Sequence, residues 1–331
     1  MNSFGTLYRT SIFGESHGID VGTVIDGCPV GLKIDVEMLM VELNRRKAGA
    51  RGTTSRKEGD IPKIVSGVFN GFSTGAPITI LFENENTRSG DYSNLVKHPR
   101  PGHSDLVAQQ KYHGFNDYRG GGHFSGRITL GAVASGAIAK SALKLEGVEI
   151  SAEVISIGSE SDKTKFPELV ESALRKSDSL GGVIECRIKN MPAGVGEPFF
   201  DSVESVISHA VFAIPAVRGI EFGEGFKATE RLGSEHNDSI IDKSGKTETN
   251  NAGGVNGGIT NSNDIVFRVA VKPTSSIATP QQTYNLEHDK VEELIIKGRH
   301  DACIVLRTPV IVESMAAISL LDLLLVRKSQ L

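Results

Sequence analysis

Residues 148–222, VEISAEVISIGSESDKTKFPELVESALRKSDSLGGVIECRIKNMPAGVGEPFFDSVESVISHAVFAIPAVRGIEF, carry the pattern that decides the fold class. Strand-like and helix-like stretches alternate along them. Val148 to Ile157 reads as a strand and Phe166 to Leu174 as a helix. Gly182 to Ile188 reads as a strand, Phe199 to Phe212 as a helix and Val217 to Phe222 as a strand. The alternation predicts an α/β fold. No Pro- or Ser-rich linker and no solenoid-type repeat divides the chain, so residues 1–331 are expected to form a single domain with long inserted loops.

Outward from this segment the pattern continues. Ile128 to Leu145 reads as a helix rich in small residues, which let a neighbouring element approach closely. Val21 to Asp26, residues 61–68 and 77–82, and Ile265 to Val271 read as strands. Asp35 is a good N-cap for a helix running to about Arg45, and Ser104 for one running to Lys111. The apolar run after Asp301 looks strand-like, and Val312 to Val326 reads as an amphipathic closing helix. Two polar stretches, 83–101 and 223–264, read as loops, and loops of that length in a compact domain tend to be functional.

Composition narrows the class. Hydrophobic content of 39% and charged content of 23% are ordinary for a water-soluble globular chain. A net charge of −4 argues against non-specific nucleic-acid binding. Cys28, Cys186 and Cys303 are widely spaced and form no CxxC pair, so no structural zinc is expected. The N-terminus lacks the charged start and apolar run of a signal peptide. Met315 to Val326, the most apolar segment, reads as too short to span a bilayer. A cytoplasmic protein with no membrane partner is expected.

Chemistry concentrates in residues 100–127, RPGHSDLVAQQKYHGFNDYRGGGHFSGR. Four of the nine histidines fall between positions 98 and 123, among Arg100, Lys111, Arg119 and Arg127. Gly120-Gly121-Gly122 has no Cβ atoms in the way, so bare N–H groups could close on a bulky anion. Upstream, Gly14 to Gly18 presents Glu15, Ser16 and His17 between glycines, a setting suited to acid–base or phosphate chemistry. Residues 45–60 interleave arginines with glycines, and the guanidinium fork suits phosphate and carboxylate. Lys272 to Ser276, KPTSS, sits at a strand end as a phosphate cradle, and Arg299, His300 and Asp301 stand together. These residues describe a cationic, histidine-bearing site for an anionic small molecule.

Eight motifs in order resemble the chorismate synthase family: GESHG (14–18), NRR…ARGTTSRKE (44–58), DYSN (91–94), RPGHSD (100–105), DYRGGG (117–122), NNAGGVNGGI (250–259), KPTSS (272–276) and GRHDAC (298–303). The ordered set spans nearly the whole chain. The resemblance implies a β-α-β sandwich of antiparallel sheets flanked by helices, an α+β arrangement, assembled as a homotetramer. It implies anti-1,4-elimination of phosphate from 5-enolpyruvylshikimate 3-phosphate to give chorismate, dependent on reduced FMN, with NADPH only as a source of reducing equivalents. No flavin reductase segment is visible, so a separate reductase is expected. His17, His103 and Asp301 match the family's catalytic positions. His123, Phe124, Ser125, Gly257, Lys272, Pro273, Thr274, Ser275, Ser276 and Arg299 match its flavin contacts. Arg46 and Arg51 match positions for nicotinamide nucleotide or substrate, and Ser16, Arg45, Arg100 and Arg127 are further substrate-binding candidates.

The chain departs from the family at one place. Many members read RGGGRSSARET where this chain has RGGGHFSGRIT, so an arginine and a serine become His123 and Phe124. The expectation is that His123 and Arg127 share the phosphate contact. Two other classes remain open: a flavin- or nucleotide-binding protein without lyase activity, and an RNA-binding protein reading through its Arg-Gly segments. Intact His17, His103 and Asp301 argue against the first, and the acidic balance with few aromatics against the second.

Overall fold

The computed structural model describes residues 1–49, 51–54, 58–85, 94–296, 298 and 300–331. Two sheets enclose a layer of helices. The first holds β1 (Ser3–Phe4), β2 (Arg9–Gly14), β3 (Asp20–Asp26), β4 (Lys63–Ser66) and β5 (Ile78–Glu83), in the order β1-β2-β3-β5-β4. The second holds β6 (Glu149–Ile157), β7 (Gly182–Lys189), β8 (Val217–Phe222) and β9 (Ile265–Val271), in the order β8-β9-β7-β6. Every pairing within the two is antiparallel. The helices are α1 (Val36–Arg46), α2 (Asp105–Lys111), α3 (Thr129–Leu145), α4 (Phe166–Arg175), α5 (Val203–Val211) and α6 (Pro309–Gln330), besides a four-residue turn of helix at Gly233–His236.

The middle layer is α3 against α6. Helix α3 packs on β2, β3 and β5, and α6 packs on β6 and β7. Small residues set the spacing. A Cβ on Gly131 would stand 2.7 Å from the Gly22 carbonyl of β3, and one on Gly136 would stand 2.2 Å from Ser314 Cβ of α6. Each fully buried Leu or Ile in this layer contributes about 1.5–3 kcal/mol, and Val310 to Leu324 are buried without interruption.

Two buried carboxylates on α6 tie the layers together. Glu313, 1% exposed, accepts from Lys140 Nζ of α3, from both terminal nitrogens of Arg45 at 2.6 and 2.7 Å, and from the Ala152 N–H of β6 at 2.8 Å. Burial pushes its carboxyl up, and Arg45 and Lys140 outweigh that and hold it below the usual value. Asp322 accepts the backbone N–H groups of Thr6, Leu7 and Tyr8 at 2.7–2.8 Å.

Several expectations change in detail. The closing helix is 22 residues long and buried nearly all round, so it is not amphipathic. Along with the helical run Gly126–Leu145 it is long and apolar enough to cross a membrane, but 83% of its apolar window, and 78% of the other, is buried inside the protein. The expected helix over 199–212 is a 3-10 turn, Phe199–Asp201, and then α5. Ser202, extended with ψ of 151°, separates the two and caps α5 by accepting from Ser205 N–H. The strand-like run after Asp301 is a 3-10 turn, Ile304–Arg307, feeding Pro309 at the start of α6. Ser104 makes no side-chain cap on α2, whereas Asp35 caps α1 through Met38 N–H at 2.7 Å.

Removing the Glu313 carboxylate leaves the Ala152 N–H without its acceptor and takes from Lys140 and Arg45 a buried counter-charge, with Glu42 as their remaining partner. Glu313→Ala is expected to lower unfolding free energy by about 3–5 kcal/mol, and Arg45→Ala by less, because that side chain is 42% exposed. Urea unfolding followed by circular dichroism checks the order of the two.

Candidate active site

A cavity of about 880 Å³ opens where β2, the last turn of α1, the first turn of α3, the residues after α5 and the end of β9 converge. One wall is cationic. Arg46 ends α1 and is 4% exposed, and Arg127 precedes α3 and is 6% exposed. Both reach Asp60, which is 4% exposed: Arg46 Nη2 donates to Oδ2 at 3.1 Å and Arg127 Nη1 to Oδ1. Arg127 also donates to Asn84 Oδ1 at 2.8 Å and to the Glu83 carbonyl at 3.0 Å. Beside them Arg307 holds Asp301 in a two-pronged pair, Nε to Oδ1 at 3.0 Å and Nη2 to Oδ2 at 2.7 Å. Thr54 N–H also donates to Asp301 Oδ1 at 3.0 Å. Burial pushes the Arg46 guanidinium down to about 10; Asp60 opposes this, and the charges of Arg307 and Arg127 reinforce it. Burial raises the Asp60 carboxyl, but Arg46 and Arg127 outweigh it and hold it below the ordinary value.

The adjoining wall carries the imidazoles. His103 Nδ1 lies 2.7 Å from Asp105 Oδ1, so a proton on Nδ1 is donated to the carboxylate. That leaves Nε2 as the nitrogen able to accept or give a proton elsewhere. Arg100 grips Asp105 as well, Nε to Oδ2 and Nη2 to Oδ1, each 2.7 Å, and donates from Nη1 to Ser276 Oγ at 2.8 Å. Burial raises the Asp105 carboxyl, and the hydrogen bonds from Arg100 and His103 overcome it, holding the group far below the carboxylate range.

The glycine run explains where His17 sits. Gly120, Gly121 and Gly122 have φ of 61°, 82° and 54°, all left-handed. A Cβ on Gly120 would meet His17 Nε2 at 2.6 Å and Ser16 Oγ at 2.8 Å, and one on Gly122 would meet the Asp117 carbonyl at 1.9 Å. The run is expected from sequence to wrap an anion; here it makes room for protein side chains. Ser16 lines the cavity, and His17, 8% exposed, lies behind Gly120, which lines it too.

Of the sequence candidates, Ser16, Arg46, Arg100, His103, Arg127 and Asp301 line this cavity, as do His123, Phe124 and Ser125 and the run Lys272 to Ser276. Lys272 Nζ donates to the Gly102 carbonyl at 2.6 Å and to Ser275 Oγ at 2.8 Å, which clips the KPTSS run to the RPGH turn. Burial, and then the charge of Arg218, push the Lys272 ammonium below its ordinary value. His17, Arg45, Arg51 and Gly257 are not among the lining residues. Arg45 is taken by Glu313, Arg51 pairs at the surface with Glu171, and Gly257 lies between two short strands, Val255–Asn256 and Ile259–Thr260. Arg299 lies outside the described residues, as do Asp91, Tyr92 and Ser93 of the DYSN motif and Ala50, Ser55, Arg56 and Lys57 of the arginine-rich loop. His123 and Arg127, expected to share the phosphate contact, both line the cavity and have different protein partners. His123 Nδ1 donates to the Gly14 carbonyl at 2.8 Å, whereas Arg127 is engaged with Asp60.

Sequence reasoning missed Asp60, Asp105 and Arg307. Asp105 was legible as the carboxylate two residues from His103 and five from Arg100. Arg307 was hidden by reading its segment as a strand, which would carry it roughly 20 Å from Asp301 at 3.3 Å per residue. Nothing local marks Asp60.

A family model for chorismate synthase matches residues 8–325. A chorismate synthase of Chitinophaga pinensis is 57% identical over 328 residues, covering 99% of this chain and 98% of that one. One of Lachnoclostridium phytofermentans is 45% identical over 350 residues, covering 98% and 95%. A crystal structure of chorismate synthase superposes with a TM-score of 0.75 at 28% identity, covering 98% of this chain and 93% of the other.

The low Asp105 carboxyl has a consequence for acid stability. A depressed native value contributes stability that is complete above the unfolded value of about 3.9 and is lost as pH falls through the native one. Asp105→Asn is therefore expected to be less stable at pH 7 yet to show a flatter acid limb below about pH 4. Urea midpoints measured from neutral to acid pH check this.

Proposed function

The chain belongs to the chorismate synthase family, lyases of the last step of the shikimate pathway, and we propose how its cavity carries out that step. The substrate, 5-enolpyruvylshikimate 3-phosphate, loses phosphate from one end of an allylic system and a proton from the other. Leaving phosphate builds negative charge, which a buried cationic wall stabilises more strongly than water does. The observation that carries the reading is the wall itself: Arg46, Arg127 and Arg307 against Asp60 and Asp301, adjoining His103 and, through Gly120, His17.

His17 assists departure of phosphate as an acid, screened from bulk water at 8% exposure. His103 holds one proton on Nδ1 toward Asp105 and works through Nε2, on the flavin side. Asp301, oriented on both oxygens by Arg307, helps move the substrate proton. Arg100 and Arg46 supply charge to the substrate's anionic groups.

The residues present fit a reduced FMN. The cavity lies near the top of the roughly 300–1,000 Å³ range of small-molecule sites, room enough for a flat ring beside a substrate. Its apolar side is formed by Ile12, Ala132, Met315 and Ile318, and Thr274 Oγ1 is buried there without a partner among the described residues. Lys272 to Ser276 would hold the cofactor with His123, Phe124 and Ser125; Arg299 is a further family position for it, and Gly257 is a family position that does not line this wall. When bound, reduced flavin would supply electron density for C–O cleavage, with no net redox change. NADPH enters only as the source of reducing equivalents through a separate reductase; Arg51, beside Glu171 at the surface, is offered to it or to substrate with Arg46. We take residues 1–331 as a single domain, supported by a hydrophobic core that runs from Tyr8 to Leu324, working as a homotetramer in the cytoplasm.

Anaerobic assay of phosphate release tests the reading. Turnover is expected with reduced FMN and none with oxidised FMN alone; turnover in air without reductant would overturn the flavin's role. His17→Ala and His103→Ala are each expected to lower kcat about 10–1000-fold with far-UV circular dichroism unchanged. A near-normal kcat in either variant makes that histidine structural.

A further inference from the structure

We infer that Asp60 is a positioning residue that sets the charge of the anion-binding wall, and that Arg46 Nε is the donor it leaves for a phosphate group. The inference rests on the reading of this cavity as a phosphate-releasing site, and gives Asp60, so far only a member of the wall, a role of its own. Asp60 sits between two arginines that would otherwise repel each other, accepting from Arg46 on one oxygen and from Arg127 on the other. Its backbone is left-handed, with φ of 51°, a conformation that costs most residues energy and that Asp and Asn tolerate. Such strain persists where the surroundings over-determine it, and it gathers at binding sites.

The pairing consumes donors unequally. Arg127 spends Nε, Nη1 and Nη2 on Asn84, Asp60 and the Glu83 carbonyl. Arg46 spends Nη2 on Asp60 and reaches the Gly126 carbonyl with Nη1 at 3.4 Å. Its Nε is buried with no partner among the described residues, on a side chain that lines the cavity. A buried donor left unpaired is destabilising, and an oxygen of a bound phosphate would satisfy it.

Charge accounting agrees. Arg46, Arg127 and Arg307 against Asp60 and Asp301 leave one positive charge, three minus two, and Lys47 and Glu58 nearby cancel. The wall thus attracts an anion without the grip three uncompensated guanidiniums would exert, and a leaving phosphate must also depart.

The test uses the whole chain and inorganic phosphate, with binding measured by calorimetry and turnover measured separately. Asp60→Asn keeps the backbone conformation and removes the charge. Phosphate is expected to bind at least ~10-fold tighter, a floor well below the bare effect of one unit charge a few ångström away at an effective dielectric near 20. Asp60→Gly, equally at ease in left-handed backbone, is expected to tighten it too. Arg46→Lys keeps the charge and lacks the guanidinium Nε, and is expected to weaken phosphate binding about tenfold, the worth of one charge-assisted hydrogen bond. Unchanged or weaker binding in Asp60→Asn makes the residue structural, and unchanged binding in Arg46→Lys removes Nε from the site; either overturns the inference. Turnover by the unaltered chain together with those outcomes leaves the elimination reading standing, whereas those outcomes with no turnover by the unaltered chain leave the inference and sink the reading.

Discussion

The contact between Gly136 and Ser314 is the constraint on which the rest depends. With no room for a Cβ between them, α3 and α6 lie together closely enough for each to carry a sheet on its other side. Small residues make this possible along α3, where Gly131 does against β3 what Gly136 does against α6. The same helix pair gathers the site. Arg127 stands just before α3, while Asp301 and Arg307 stand just before α6. Backbone packing in the centre thereby brings together residues that are more than 170 positions apart in the chain.

Charge inside this protein is handled by pairing, and the pairs differ in purpose. Around Glu313 every carboxylate oxygen is spent on the framework: Arg45, Lys140 and a backbone N–H. Around Asp60 and Asp301 the balance is left open by one positive charge and one unpartnered N–H among the described residues. Removing charges from water costs several kcal/mol each unless geometry repays it, so a buried cluster left incomplete points to a ligand. The partial positive charge at the start of α3 adds to the same preference.

Much of this was legible in the residues and some of it could not be. The strands Val217–Phe222 and Ile265–Val271 and the helix Thr129–Leu145 stand within a residue of where periodicity puts them. Strand direction was not legible, because alternating strands and helices suit parallel and antiparallel sheets alike; the family resemblance supplied the antiparallel answer. The cationic and histidine clusters were visible as composition, yet composition cannot say which arginine faces inward. Arg45 and Arg46 are neighbours, and a turn of 100° per residue on α1 sends one to Glu313 and the other to Asp60. The Gly120–Gly122 run was read as bare backbone for a ligand, and its space is occupied by His17 and Ser16, which lie about a hundred residues upstream. Long-range partners of that kind leave no local mark.

The Asp322 carboxylate has a bearing on how the molecule comes into being. It fixes the N–H groups of residues 6–8, more than 310 positions away, and β2 follows directly. The edge of the first sheet therefore cannot be secured until α6 has been synthesised and docked. Loop-closure entropy must be met across almost the whole length before those bonds form. During synthesis, the N–H groups of residues 6–8 wait for the latest helix, although β1, β2 and β3 can already pair with one another. Late closure is the kinetic counterpart of a carboxylate on the last helix that holds the first turn of the chain.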